Sequence, residues 1–225
     1  ERFDPMALSA LRMTASAVAL LLVLYWHGPG WPRLSRRQFA GMLVCGLLMV
    51  YVNQVCFTLG VQRTVAANAA LVIALNPLVS SLAAAALLGD RLTPARLLGV
   101  VLGFSGVAAV VLHRPGVALG EGGLGDLLVF ASVLTWVAGG LLVQRLARQM
   151  DTAVVSAVVN TLGTSAVVLH VLLDPGTRLP VWHEVPAVDW LLVVLSGLLA
   201  TAVGALVWNR ALSTIGVART ALYAY

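Results

Sequence analysis

Charge is what this chain has least of. Only 10% of its 225 residues are charged, where a soluble domain of this size carries about a quarter. With 60% of residues hydrophobic, its apolar surface cannot be hidden from water, and lipid is the solvent that accepts it. Lysine is absent. The net charge of +5 comes from arginines that stand singly or in pairs between apolar runs. Nucleic-acid binding needs a clustered basic face on a soluble domain, so nucleic acid is not an expected partner. No GxxxxGK[ST] loop occurs, which argues against ATP-driven pumping by this chain. Cys45 and Cys56 are the only cysteines, and on one helix they stand about 16 Å apart, too far for a disulfide. No metal or cofactor is expected.

What is present is a series of apolar runs of spanning length, about 20 residues each. They fall at roughly 5–26, 39–60, 65–88, 95–112, 124–146, 153–173 and 190–211, and an eighth begins near 215. Asp4-Pro5, Thr93-Pro94 and Asp151-Thr152 place capping side chains at three of the starts. The alternation of an outer-membrane barrel is not visible, so helices are expected. The chain does not begin with Met and reads as a fragment cut at both ends.

Arginine distribution orients the spans. Connections 27–38, 89–96, 145–152 and 210–219 hold nine: Arg33, Arg36, Arg37, Arg91, Arg96, Arg145, Arg148, Arg210 and Arg219. The opposite segments hold four: Arg2, Arg63, Arg114 and Arg178. The richer side is expected to be cytoplasmic. Trp182 and Trp190 suit the outer interface, Trp26 and Trp31 the inner one.

Residues 44–72 also align without a gap on residues 195–223, an offset of 151, with Gly46 on Gly197, Leu47 on Leu198, Leu48 on Leu199 and Val52 on Val203. The period of the repeat contains five spans. An odd number turns the second copy over, so the repeat is inverted, as in many secondary transporters.

Three segments carry a family resemblance. LGDRLTPARLLGVVLGFSGVAAVV (Leu88–Val111), AANAALVIALNPLVSSLAAAALLGD (Ala66–Asp90) with its helix-embedded Pro77, and FDPMALSALRMTASA (Phe3–Ala15) resemble the EamA repeat of the drug/metabolite transporter superfamily. One departure is Asp90, where the family often has Glu. The resemblance covers the whole chain. It implies an all-α polytopic membrane protein of two inverted five-helix repeats, ten helices in full, of which this chain holds about helices two to nine. The repeats would occupy 1–115 and 120–225. The implied function is alternating-access movement of a small organic solute (an amino acid, metabolite or drug-like compound), with export the implied direction. The implied place is the bacterial inner membrane, with the solute and the lipid bilayer as partners and room for a homodimer.

Polar groups inside spans are costly and usually face protein or a cavity. The cavity candidates are Tyr51, Asn53, Gln54, Asn68, Asn76, Trp136, Asn160, Thr201, Trp208 and Asn209. Each Asn has a plainer reading as an interhelical hydrogen bond. Pro77 frees a carbonyl one turn earlier. Arg12, seven residues past Pro5, either snorkels to the outer surface or draws anions to the outer mouth as a gate. Asp90 reads as an inner cap or ion pair. Gly99, Gly103 and Gly106 form GxxxGxxG, a close helix crossing that packs or slides. No span carries a central Asp or Glu, so these spans offer no carboxylate for proton coupling, and His170 lies near an outer end.

Two rivals remain. Gly103-Phe104-Ser105-Gly106 spells GxSG, which resembles an intramembrane serine protease. That enzyme needs a base within reach of Ser105, and His170 is the only candidate in a span. A membrane scaffold without transport is the other, though the short connections offer no docking module. The expectation is a carrier, not an enzyme.

Overall fold

The computed structural model describes residues 3–27, 33–90, 93–112, 123–181 and 183–223, without the side chains of 27, 96, 107, 108 and 110–112. Arg2, Trp31, Arg91, Arg114 and Trp182 lie outside the described residues, as does the Arg96 side chain.

Each expected span is a helix. In chain order they are α1 (Pro5–His27), α2 (Arg36–Cys45), the π-helix π1 (Gly46–Val52), α3 (Asn53–Val61), α4 (Ala66–Ile73), α5 (Asn76–Leu88) and α6 (Pro94–Leu112). There follow α7 (Gly123–Ala147), α8 (Thr152–Leu173), α9 (Ala187–Leu195), the π-helix π2 (Ser196–Val203), α10 (Gly204–Ile215) and α11 (Val217–Leu222). Six helical stretches among the described residues are long and apolar enough to cross a membrane, one of them α2–π1–α3 and another α9–π2–α10. The chain is an all-helical, polytopic membrane protein.

The punctuation acts as the sequence suggests. Asp4 accepts from the backbone amide of Met6 at 2.8 Å, and Asp151 from that of Ala153 at 2.8 Å. Ser35 and Gln38 form a reciprocal capping box at the start of α2. The third expected span is broken in the structure. Ala74 and Leu75 make a turn between α4 and α5, and Pro77 is buried at the first turn of α5. Proline tolerates that position because its missing amide has no intrahelical partner there.

Helix ends collect on two faces. On one, Thr64 donates to Asp126, and Phe3 meets Trp190 edge-on with ring centroids 5.6 Å apart. On the other, Arg145 Nη2 donates to the Leu87 carbonyl at 3.2 Å. These are the arginine-poor and arginine-rich sides of the sequence. In the connection after α8, hydrogen bonds from Thr177 and the Gly176 amide hold the Asp174 carboxyl below the usual carboxylate range.

Packing follows the repeat. α1 packs on α8, π1 on α8 and π2 on α1. Glycines permit the close approaches. A Cβ on Gly46 would lie 2.8 Å from the Val159 carbonyl oxygen, and one on Gly163 would lie 2.4 Å from Val50 Cβ. A Cβ on Gly197 would lie 2.5 Å from the Arg12 carbonyl oxygen. Gly197 is the repeat partner of Gly46, and Gly163 that of Arg12, so the same helix crossing is built twice.

Candidate functional site: a polar cavity between the two π-helices

The repeat shows again in backbone form. π1 covers Gly46–Val52 and π2 covers Ser196–Val203, so the offset of 151 lays one irregularity on the other. A π-helical turn adds a residue per turn, rotates the side chains after it, and occurs often at functional sites. Neither π-helix is legible in the sequence, because apolar periodicity does not register one inserted residue.

Between them lies a cavity of about 360 Å³. Arg12 and Met13 line it from α1; Met49 and Val50 from π1; Asn53 and Gln54 from α3; Trp136 from α7. Ser156, Val159 and Asn160 come from α8, Ala200 and Thr201 from π2, and Gly204, Ala205, Trp208 and Asn209 from α10. The Trp136 and Trp208 rings stand 5.6 Å apart at 48° and form an aromatic wall.

Hydrogen bonds fix the polar residues. Asn53 Nδ2 donates to the Ser132 carbonyl at 2.8 Å. Gln54 Nε2 reaches Ser9 Oγ and Thr58 Oγ1, each at 2.9 Å. Asn209 Nδ2 donates to Ser156 Oγ at 2.9 Å. Thr164 Oγ1 lies 3.3 Å from Asn160 Oδ1. Thr58 and Asn209 are repeat partners, as are Ser9 and Asn160, so polar residues recur at these positions of the two halves with different hydrogen-bond partners.

Seven of the ten cavity candidates therefore come together: Asn53, Gln54, Trp136, Asn160, Thr201, Trp208 and Asn209. Three do not. Tyr51 lies in π1 outside the cavity lining, and its hydroxyl is 3.1 Å from His170 Nδ1. Asn68 donates to Asp126 Oδ2 at 3.0 Å, near the start of α7. Asn76 Oδ1 accepts from Ser80 Oγ at 3.1 Å within α5.

Of the other candidates, Arg12 lines the cavity, while Asp90 is exposed just past Gly89, whose φ of 72° closes α5. Gly99 and Gly106 have no atom within 4 Å of an added Cβ, so they make no close helix crossing among the described residues. Ser105 is exposed on α6, which packs on α4 and α5. The sequence reading missed Gln144, a buried residue of α7 whose Oε1 accepts from the Val217 amide at 2.8 Å and caps α11. A lone glutamine in an apolar span was the available signal.

The model of the EamA-like transporter family matches residues 1–112 and again 123–225. The chain belongs to this family. It is 27% identical over 225 residues to "Uncharacterized transporter YyaM" of Bacillus subtilis (strain 168), covering 98% of this chain and 72% of that protein. It is 23% identical over 218 residues to "Uncharacterized transporter YetK" of the same organism, covering 96% of this chain and 65% of that protein. A shorter match, 33% over 105 residues, links 47% of the chain to 35% of the "Probable terminal-alkyne amino-acid exporter" of Streptantibioticus cattleyicolor. A protein of known crystal structure shares the fold with a TM-score of 0.77 at 22% identity, over 97% of this chain and 75% of its own. Family membership accounts for the repeated architecture around the cavity.

Proposed function

We propose that this EamA-family chain carries a small organic solute through the cavity between π1 and π2. The observation that carries this reading is the cavity itself: amides, two hydroxyls and two tryptophans gathered inside an otherwise apolar bundle where the two copies of the repeat meet. Polar groups inside spans collect along paths and at ligand sites. The mechanism is alternating access. Two inverted repeats, 1–115 and 120–225, rock around the cavity and open it to each side in turn. Arginine-rich ends 33–38 and 145–152 face the cytoplasm of a bacterial inner membrane. Export is the proposed direction, in keeping with the family resemblance and the exporter among its relatives. Amino acids and amino-acid-like metabolites are the solutes to try first.

The test is flux. Full-length protein in proteoliposomes is offered labelled amino acids, other metabolites and cationic drugs. Saturable movement of at least one solute, absent from protein-free vesicles, is the expected result. If no member of the panel moves, the carrier reading fails.

A further inference from the structure

Arg12 Nε, Trp208 Nε1 and Asn209 Oδ1 are buried and have no hydrogen-bond partner among the described residues. All three residues line the central cavity. Two of the atoms donate and one accepts. A buried polar atom left unpaired costs free energy, which a bound partner returns. Their residues line one cavity, so a ligand around which these side chains closed would complete them.

Ser156 Oγ donates to the Thr152 carbonyl at 2.7 Å and accepts from Asn209 Nδ2 at 2.9 Å. Oδ1 is the end left over, and it asks for an N–H or O–H.

Charge narrows the ligand further. Arg12 is the one charged residue among those that line the cavity. A cation beside a cavity attracts an anion and repels a second cation. The repeat does not require that charge, because the equivalent position on the other half is Gly163. The helix crossing uses only the Arg12 backbone, against Gly197, which leaves the side chain for another task. Arg12 also lines a second cavity of about 560 Å³, together with Phe3, Asp189 and Ser196. Arg12 thus borders both the cavity between the π-helices and the space beside α9.

We propose that Arg12 reads the carboxylate of the transported solute. Asn209 Oδ1 receives an N–H or O–H of the same molecule, and Trp136 and Trp208 flank its apolar part. This rests on the carrier reading of the cavity. It names the solute class as a small organic carboxylate bearing a hydrogen-bond donor, and the cavity lies at the small end of ligand sites. Organic cations lacking a carboxylate are disfavoured.

The experiment uses matched probes on full-length protein in proteoliposomes. L-phenylalanine, L-leucine and L-alanine are each compared with the deamino acid, which lacks the donor, and with the amide, which lacks the carboxylate. The expected order is amino acid first, deamino acid lower by about tenfold, the scale of one lost hydrogen bond, and amide near background. Arg12→Lys retains part of the preference. Arg12→Gln abolishes it, with carboxylate uptake down by about a hundredfold, as for a lost charge-assisted contact. Thermal unfolding of both purified variants reports whether they remain folded. If Arg12→Gln does not fold, the comparison of acids with amides on the wild-type chain decides. Amides moving as well as acids, or Arg12→Gln keeping the acid preference, overturns the inference and leaves the carrier standing. If neutral or cationic solutes from the wider panel move and carboxylates do not, the inference is likewise overturned. If nothing moves, the carrier reading falls and takes this inference with it.

Discussion

Thr164 Oγ1 lies 3.5 Å from the Met13 carbonyl oxygen, and the two residues are the same position of the two repeats, 151 apart. Equivalent positions touch each other only beside a two-fold axis. The pseudo-two-fold axis of the repeat therefore passes between α1 and α8 at this pair, at the side of the cavity that Met13 and Asn160 line.

The close crossings around that axis should not tolerate a methyl group. Gly163→Ala would set a Cβ 2.4 Å from Val50 Cβ and 2.6 Å from the Gly46 carbonyl oxygen. Overpacking of this kind costs about 1–3 kcal/mol. Gly99→Ala, with no atom within 4 Å, should be neutral or stabilise by up to about 1 kcal/mol through helix propensity. Thermal unfolding of the full-length protein in detergent separates the two.

Gln144 should matter for stability more than its place in an apolar helix suggests. Gln144→Leu leaves the buried Val217 amide without its acceptor. The expected loss is about 1–3 kcal/mol. Limited proteolysis at the α10–α11 junction, around Gly216, should speed up in the variant and not in the parent.

Tyr51 distinguishes a structural contact from a cavity contact. Tyr51→Phe removes the hydroxyl bonded to His170, at an expected cost of about 1 kcal/mol. Because Tyr51 does not line the cavity, solute KM in a flux assay should stay at the parent value. A tenfold rise in KM would return Tyr51 to the site.

Sidedness is open to a labelling test. In a chain with Cys45 and Cys56 replaced, Arg33→Cys and Arg148→Cys should react with a membrane-impermeant thiol reagent only from the cytoplasm. Thr177→Cys should react only from outside. The reverse pattern inverts the whole topology.

Much of this fold is legible in the sequence, because each span is an apolar run closed by proline, aspartate or arginine. The inverted repeat is legible too, since the letters at Gly46–Leu48 recur at Gly197–Leu199. The break before Asn76 and the two π-helices are not. Hydrophobic pattern reports whether a segment is apolar, not how many residues fill a turn. Tyr51 stands two residues before Asn53, about 200° round a helix, so it meets His170 while Asn53 faces the cavity. Asn68 and Asn76 have the letters of cavity residues, but Asp126 and Ser80, groups of the bundle itself, engage them.

The most direct test compares cavity amides with a control amide. Solute flux in proteoliposomes is measured for the full-length parent and for Asn160→Leu, Asn209→Leu and Asn76→Ala, each at equal reconstituted amount. Loss of flux by about tenfold or more in the first two, with Asn76→Ala at the parent rate, is the result this account predicts. Parent-level flux in both cavity variants would contradict it.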